Sequence, residues 1–371
     1  MELQQVMARY QPEMNEEGSV QIRRTGLQED VITKIDVSII ICTFNRSAFL
    51  ADTLRTLTRS LSPRLQKVEI LVVNNASTDD TNEVVKSFIE SAPSVSLRLI
   101  HESRKGLSYA RNTGLEQAWG DVLCFLDDDV IVPDGWLEGL LSAFYVGDTV
   151  GCVAGQIKLR FPNGPRPAWL DNKYNGLFGE LALGDRPFLL SRGDDFFGGN
   201  FAITRKAASV VGSFNTDLGR KHYSLLSGED TEYAKRLWEN GFAIAYSGAG
   251  YIHHRVHAER LTYQWIARRY FWAGVTNSLM RTWFYFLGVL PRLLGSILLM
   301  LLGLLIGYKK RIVLSSFRII HACGVFYGLL FKMKAIAQEQ ARPYSILGDT
   351  DDVTPGVYDT NISKNRVTLF R

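Results

Sequence analysis

Residues 122–129 read VLCFLDDD and place three consecutive carboxylates directly behind five apolar residues. Such an apolar run is typical of a strand buried on both faces. Open α/β sheets bind their ligands at the carboxyl ends of their strands. Carboxylates this close repel one another, so a bound cation favours their ionised form. Oxygen ligands suit Mg²⁺ or Mn²⁺, and the triplet therefore predicts a divalent-metal site, with a solvated acidic turn as the alternative.

Strand and helix patterns alternate on both sides of this triplet. Short apolar runs rich in β-branched residues predict strands at 37–42, 68–73 and 95–100. Helical periodicity predicts helices beginning at 47, 81 and 107. The alternation predicts an α/β fold with a mostly parallel sheet and helices on both faces. Farther along, we predict helices at 136–145 and 231–240, strands at 150–159, 196–204 and 242–246, and a long functional loop at 160–195.

The composition is that of a globular protein and excludes some partners. The chain has 371 residues, of which 46% are hydrophobic and 22% charged, and a net charge of +4. So small a positive charge gives no reason to expect nucleic acid as a partner. None of the four cysteines lies in a CxxC pair, which favours buried free thiols in a reducing compartment. The polar first 30 residues lack the apolar segment of a secretory signal, so we expect a cytoplasmic start and a loose tail at 1–34.

Two apolar segments near the end of the chain indicate membrane contact at about residues 282–334. Residues 293–308 carry no charge, but these 16 residues fall short of the roughly 20 that span a bilayer upright. A basic trio at 309–311 separates them from the second segment, 312–331. If both segments spanned, the trio would lie outside, against the positive-inside tendency. We therefore predict a hairpin in the inner leaflet, or one span with an in-plane helix; a buried helical pair is the alternative.

Two further clusters carry groups suited to chemistry. Glu229 and Asp230 precede a helix, where a carboxylate could accept a proton from an attacking hydroxyl, although acids are also common at helix N-termini. His253 and His254 follow a strand, where a neutral imidazole could complete a metal shell; the alternative is an exposed or core histidine pair, and for His254 we favour that alternative. The sequence has no GxGxxG after the first strand and no GxxxxGK[ST], GxSxG or HExxH motif, which excludes several common enzyme classes.

In this order the motifs resemble those of glycosyltransferase family 2, whose catalytic domain has the GT-A fold, a Rossmann-like mixed sheet. The matching segments are TFNR at 43–46, VVNNASTD at 72–79, GLSYARN at 106–112, LDDD at 126–129, GGN at 198–200 and GED at 228–230. They extend over about residues 37–253. The resemblance implies an inverting enzyme that uses a nucleotide-sugar donor and a divalent metal, Mg²⁺ or Mn²⁺, in a single displacement.

The resemblance also implies a role for each matching residue. It predicts nucleotide contacts from Thr43, Asn45, Arg46, Asn74, Arg111 and Asp127. It predicts metal ligation by Asp127, Asp129 and His253, with Asp128 as a structural member of the triplet. The implied base is Asp230, with Glu229 as second choice, and the implied acceptor side is formed by Gly198, Gly199 and Asn200. Asn74 stands where the family usually has an Asp, and its amide can still pair with a uracil-type edge.

These features together predict a GT-A catalytic domain at 35–260, a helical membrane-associated region at 261–335 and a polar tail at 336–371. The predicted function is addition of one sugar to a lipid-linked or polysaccharide acceptor at the cytoplasmic face of the inner (plasma) membrane. Residues 264–269, QWIARR, are similar to the QxxRW motif of processive synthases but lack its Arg-Trp pair, which favours single addition. The alternatives are a non-catalytic sugar-binding component of a polysaccharide assembly complex, a nucleotidyltransferase, or another nucleotide-sugar enzyme of similar fold.

Overall fold

The computed structural model describes residues 36–340 except 62–66, 93–94, 163, 166–169, 195, 222–223 and 282. The tail predicted at 1–34 lies outside the described residues. The last helix runs to Gln340 and so includes the first residues of the tail predicted from 336, while 341–371 lie outside.

Nine strands form one sheet. They are β1 (Val37–Thr43), β2 (Val68–Asn74), β3 (Ser96–His101), β4 (Val122–Asp127), β5 (Val130–Ile131), β6 (Val150–Arg160), β7 (Phe188–Leu189), β8 (Asn200–Thr204) and β9 (Ala243–Arg255). The α-helices are α1 (Ser47–Ser60), α2 (Thr81–Ser91), α3 (Leu107–Gln117), α4 (Trp136–Ser142), α5 (Arg205–Val211), α6 (Glu229–Glu239), α7 (Tyr263–Met280), α8 (Trp283–Leu287), α9 (Val289–Leu305) and α10 (Lys309–Gln340). Short 3₁₀ turns occupy Ala143–Val146, Asn172–Phe178 and Ala258–Arg260.

The sheet order is β3-β2-β1-β4-β8-β6-β9-β5, and β7 pairs with β9. Strands β1 to β4 are mutually parallel, while β8 runs antiparallel to β4 and β6. In register, Thr43 lies opposite Asn74, and Cys42 lies opposite Asp127. The carboxyl ends of the parallel strands therefore meet the start of β8 at one edge, where this kind of sheet binds ligands.

The core explains why these segments form a sheet between helices. Ile39, Ile40 and Ile41 of β1 are fully buried, as expected of a strand covered on both faces. Helix α1 adds Leu50, Leu54 and Leu57 from one face, at helical spacing. Each such side chain contributes roughly 1.5–3 kcal/mol on burial. The predicted α/β class with a mixed sheet is confirmed.

The last strand is longer than the prediction of 242–246, because β9 continues to Arg255. The glycines at 248 and 250 lie inside this strand. A Cβ at Gly248 would meet the backbone of Asp185 at 2.5 Å, and one at Gly250 would meet Leu140 N at 2.7 Å. Glycine is thus required by close approach of neighbouring segments rather than by a turn.

The C-terminal helices pack closely on one another. A Cβ on Gly274 of α7 would overlap the carbonyl oxygen of His321, and one on Gly324 of α10 would overlap that of Phe271. Small residues let the two helix backbones approach in this way. Of the described helices, Tyr285–Leu305 and Lys309–Phe331 are long and apolar enough to cross a membrane, and they are only 17% and 33% buried.

Of the described residues, those up to Leu329 form one compact unit by their contacts, and the end of α10 from Leu330 belongs to a second. The domain boundary at 260/261 stays a prediction.

Candidate active site at the carboxyl edge of the sheet

A cleft of about 370 Å³ opens at the edge where the parallel strands end. Its walls come from the ends of β1 and β4, the segment before β8, the start of α6, and the 3₁₀ turn Asn172–Phe178. Nine of the residues expected to form the site line it: Thr43, Arg46, Arg111, Asp127, Asp129, Gly198, Gly199, Glu229 and Asp230. The cleft thus brings together groups that are distant in sequence.

The residues suited to a metal are Asp127, Asp129 and His254, whose ligand atoms lie within 4.8 Å of one another. Nε2 of His254 is 3.2 Å from Oδ1 of Asp129. The buried Nδ1 of His254 has no hydrogen-bond partner among the described residues, although buried polar atoms normally have one. Two carboxylates and one imidazole fit Mn²⁺, and the acids alone fit Mg²⁺.

The assignment of a metal ligand to His253 needs correction. In β9, His253 pairs with Ile131 and His254 with Val130, and successive side chains of a strand point to opposite faces. His253 stacks edge-on against Tyr251, 5.5 Å between ring centroids, away from the cleft. Burial, with nearby Lys158 and Arg160, lowers the pKa of His253. The histidine beside the carboxylates is His254, which the sequence had suggested to be structural.

Two members of the acidic triplet, Asp128 and Asp129, contact cationic or imidazole side chains. Nη1 of Arg46 lies 2.9 Å from Oδ1 of Asp128 and 3.0 Å from Oδ2 of Asp129. Nε2 of His257 lies 3.0 Å from the same Oδ2 of Asp129. Burial alone would raise the pKa of Asp129, but His254, His257 and Arg46 together hold that pKa well below its ordinary value. Arg46, expected on the nucleotide, is engaged by these carboxylates.

Glu229 and Asp230 have different surroundings, although they are adjacent. Glu229 is buried and its Oε1 accepts a 2.9 Å hydrogen bond from Nη1 of Arg111. Burial and the neighbouring Asp230 raise the pKa of Glu229 despite that arginine. Asp230 is only half-buried; its Oδ2 accepts from Gly198 N at 2.9 Å and its Oδ1 from Thr231 N at 2.8 Å. Of the two acids, Asp230 is the one accessible to a substrate, because Glu229 is buried. Arg111, which was expected to contact the nucleotide, is buried as well.

The glycine pair at 198–199 is shaped by its neighbours. A Cβ at Gly199 would come within 2.6 Å of Oδ2 of Asp127, and one at Gly198 would overlap the guanidinium of Arg111. Arg111 Nη2 also donates to the carbonyl oxygen of Gly198 at 2.8 Å. Only glycine lets the backbone pass so close to both side chains.

Besides His253, three expected site residues do not line the cleft. Asn200 is fully buried; its Nδ2 donates to the carbonyl oxygens of Gln156 and Gly250, and its Oδ1 accepts from Trp136. Oδ1 of Asn45 accepts from Thr78 N at 2.7 Å, and the amide of Asn74 bonds to Asn82 and Ser77. These amides are used to join strands and loops, so their proposed substrate contacts are not supported by the geometry.

Several cleft residues were missed from the sequence. They are Arg220, Arg260, Arg269 and the turn at 176–179. His257 lies beside them and contacts Asp129. Apart from Arg269, which ends the segment QWIARR at 264–269, these residues follow no motif. The sequence offered one signal for Arg260 and Arg269, which is that they flank the apolar and aromatic first turns of the helix that begins at Tyr263. That pattern also fits a helix at a membrane interface.

Comparison with known proteins agrees with this architecture. The sequence matches Glycosyl transferase family 2 over residues 38–210. The succinoglycan biosynthesis protein ExoM of Rhizobium meliloti is 29% identical over 247 residues, covering 66% of this chain and 74% of that protein. Glucosyl-dolichyl phosphate glucuronosyltransferase of Haloferax volcanii is 23% identical over 247 residues, covering 66% and 77%.

Among solved structures, a mannosyltransferase of Pyrobaculum calidifontis in complex with GDP-Man and Mn²⁺ superposes with a TM-score of 0.57. The match covers 89% of this chain and 93% of that one. At 19% sequence identity, this likeness shows a shared fold.

Proposed function

The chain belongs to glycosyltransferase family 2 and has the GT-A fold, and from that premise we propose that its cleft moves one sugar from a nucleotide-sugar to an acceptor hydroxyl with inversion. The observation that carries the proposal is the pairing of two groups in one cleft. The cluster Asp127, Asp129 and His254 fits a divalent cation, and Asp230 is an accessible carboxylate at the same cleft. A donor diphosphate and an attacking hydroxyl require groups of these two kinds.

A divalent metal fits the observed donor set. Asp127, Asp129 and His254 would hold it, and when bound it would stabilise the negative charge that grows on the departing diphosphate. The imidazole favours Mn²⁺ over Mg²⁺, because Mg²⁺ prefers oxygen ligands and loses its waters reluctantly. The mannosyltransferase that shares the fold was crystallised with Mn²⁺, which agrees with this preference.

Asp230 is the proposed base. The acceptor oxygen forms a bond to the anomeric carbon of the donor sugar, and its proton moves to the Asp230 carboxylate. The bond from that carbon to the diphosphate breaks, and the nucleoside diphosphate leaves with the electron pair. The hydrogen bonds from Gly198 N and Thr231 N orient the Asp230 carboxylate. Since Arg111 holds both Glu229 and the Gly198 carbonyl, this ion pair supports the position of the base.

The C-terminal helices support an acceptor held at a membrane. Exposed apolar side chains follow α9 at spacings of three and four residues: Leu290, Leu294, Leu298, Leu301 and Leu305. A helix face of this kind binds the interface of a bilayer. The relative from Haloferax volcanii named above acts, by its name, on a dolichyl-phosphate-linked sugar. We therefore propose a lipid-linked acceptor, with a polysaccharide end as the second candidate because of the name of ExoM.

One contact favours helices that lie in the membrane surface over helices that cross it. Nζ of Lys310, at the tip between α9 and α10, is 3.2 Å from Oδ2 of Asp171. Asp171 immediately precedes the 3₁₀ turn that lines the cleft. Two crossing helices would carry the tip to the side opposite the catalytic domain, so this ion pair would be impossible. We place the hairpin in the leaflet that faces the catalytic domain, which for a cytoplasmic enzyme is the inner leaflet of the plasma membrane.

Donor turnover tests the transferase proposal. The protein is incubated with a panel of nucleotide-sugars, Mn²⁺ and sugar-bearing lipid acceptors, and release of nucleoside diphosphate is measured alongside thermal stability. We expect one donor to stabilise the fold, by about 2.7 kcal/mol at one hundred times its Kd, and to be turned over. Turnover should be lost in Asp129→Asn. Stabilisation by a donor without any turnover would instead support the sugar-binding scaffold.

Vesicle flotation tests the membrane proposal. The double variant Leu298→Glu/Leu305→Glu should lose binding to vesicles containing anionic phospholipid. Val210→Glu, a substitution of an equally exposed apolar residue on α5, should keep it. Equal binding by both variants would contradict docking through α9.

A further inference from the structure

Three arginines from separate parts of the chain converge on the cleft. Arg220 precedes α6, Arg260 ends the 3₁₀ turn after β9, and Arg269 lies in the second turn of α7. All three line the cleft that contains Asp127 and Asp230. Arg220 and Arg260 lie outside the matching motifs, and Arg269 ends the segment QWIARR at 264–269.

These arginines have few anionic partners. Nη2 of Arg260 is 3.5 Å from Oδ2 of Asp129, a carboxylate already shared with Arg46 and His257. Arg269 Nη1 donates at 3.2 Å to Leu225 O and to Ser227 Oγ, both uncharged. Among the described residues, the structure gives the Arg220 side chain no hydrogen-bond or ion-pair partner.

The buried Nε of Arg269 provides an independent sign of a missing ligand. It has no hydrogen-bond acceptor in the part of the chain that the structure describes. A buried guanidinium N–H left unpaired is costly, because it has lost its water and gained no acceptor. Burial, and after it the nearby Arg220, lowers the pKa of Arg269 to about 10. The positive charges thus lie close enough to repel one another, and a bound anion would relieve the repulsion.

The position of the three arginines suggests which anion. Arg260 lies beside Asp129 of the metal cluster, while Arg269 bonds to Ser227, which precedes Gly228, Glu229 and Asp230. The arginines therefore extend from the metal side to the base side of the cleft. Guanidinium groups bind phosphate oxygens through paired, charge-assisted hydrogen bonds. A phosphate brought near Asp127 and Asp230 needs such cations to offset the carboxylates.

We propose that Arg220, Arg260 and Arg269 form a phosphate subsite, which takes a phosphate ester from either the donor diphosphate or a phosphorylated lipid acceptor. The inference rests on the proposed transferase function, since it names the chemistry of the group held beside the transferred sugar. The subsite also gives α7 two roles. This helix packs on α10, and it carries Arg269 into the cleft, so α7 joins the C-terminal helices to the phosphate subsite.

The first test is direct binding of pyrophosphate, with Mn²⁺ present, to the full chain by calorimetry. Arg220→Gln and Arg269→Gln should each weaken binding about tenfold or more. Arg268→Gln, an exposed neighbour of Arg269 on the same helix, is the matched control and should bind as the wild type does. Arg220 is itself exposed, so its variant keeps the test valid if Arg269→Gln fails to fold. Unchanged pyrophosphate binding in both variants would overturn the phosphate subsite.

The second test distinguishes the two sources of phosphate. If the donor supplies it, Arg269→Gln weakens binding of the nucleoside diphosphate released by the enzyme. If the acceptor supplies it, that affinity is unchanged, and the variant loses the preference for a sugar linked to prenyl phosphate over the same sugar on an uncharged alkyl chain. A wild type that binds pyrophosphate but turns over no donor would contradict the transferase function while leaving the phosphate subsite intact.

Discussion

Nε2 of His254 lies 3.2 Å from Oδ1 of Asp129, so a residue near the end of β9 meets one in the turn between β4 and β5. The short antiparallel pairing of β5 with β9 brings them together, because Val130 is in register with His254. The carboxylates that end the parallel half of the sheet thereby gain a nitrogen ligand from its other half. The adjacent His253 is directed to the opposite face.

This pair of histidines offers a matched test of the metal cluster. His254→Ala should weaken Mn²⁺ binding at least ~10–100-fold, the range that even supporting groups around a metal contribute. His253→Ala should leave Mn²⁺ binding unchanged, since its ring faces away from the cleft. Titration of Mn²⁺ followed by electron paramagnetic resonance measures both. Equal loss in the two variants would contradict the assignment.

Gly199 should control the position of Asp127. In Gly199→Ala the added methyl would lie 2.6 Å from Oδ2 of Asp127, so the carboxylate must move. A displacement of about 1 Å in a catalytic constellation can cost ~10²-fold in rate, and we expect a loss of that order in donor turnover. Gly176→Ala, in the same cleft but with no atom within 4 Å of its added methyl, is the control. Turnover that falls equally in both would argue against this role.

The sequence was sufficient for the parallel half of the sheet and for the acidic triplet, because apolar strands and the residues behind them are local patterns. It was insufficient for His254. The side to which a strand residue points depends on the strand's register, and β9 extends to Arg255, beyond the strand predicted at 242–246. Asn45 and Asn74 match family motifs, but their amides bond to neighbouring loops. Arg260 reaches the cleft from the 3₁₀ turn after β9, and Arg269 through the packing of α7, and no local pattern encodes either placement.

The Arg111–Glu229 ion pair should be important for stability. Both side chains are almost fully buried, with 4% and 6% of their surface exposed. Glu229→Gln leaves the Arg111 charge buried without its counter-ion, and we expect a loss of ~3–5 kcal/mol in the free energy of unfolding. The control is Glu232→Gln on the same helix, which breaks a more exposed pair with Arg236 and should cost ~0.2–1 kcal/mol. Urea denaturation gives both values, and similar losses would contradict the prediction.

Glu102 should make the stability depend on pH. Its carboxylate accepts hydrogen bonds from Arg104 and Thr113, and with the Arg104 bonds as the largest cause its pKa falls to about 2. Because the pKa is lower in the folded state, its stabilisation is present above the ordinary value of 4.5 and is lost as the pH falls toward 2. Glu102→Gln should therefore cost ~1–3 kcal/mol at pH 7 and much less at pH 3.

Urea denaturation at the two pH values tests this, with Glu90→Gln, an exposed carboxylate on α2, as the control. A cost of Glu102→Gln that is the same at pH 7 and pH 3 would show that the Glu102 carboxylate does not titrate as described.

The most direct test of the transferase account is the Asp230→Asn variant, assayed for donor binding and for sugar transfer on the same preparation. The amide keeps the shape of Asp230 and can still accept a hydrogen bond from Gly198 N, but it cannot take the acceptor's proton. We predict unchanged donor affinity in the presence of Mn²⁺ and a transfer rate lower by ~10²–10⁴-fold. Transfer at the wild-type rate, with the donor still bound, would contradict the assignment of Asp230 as the base.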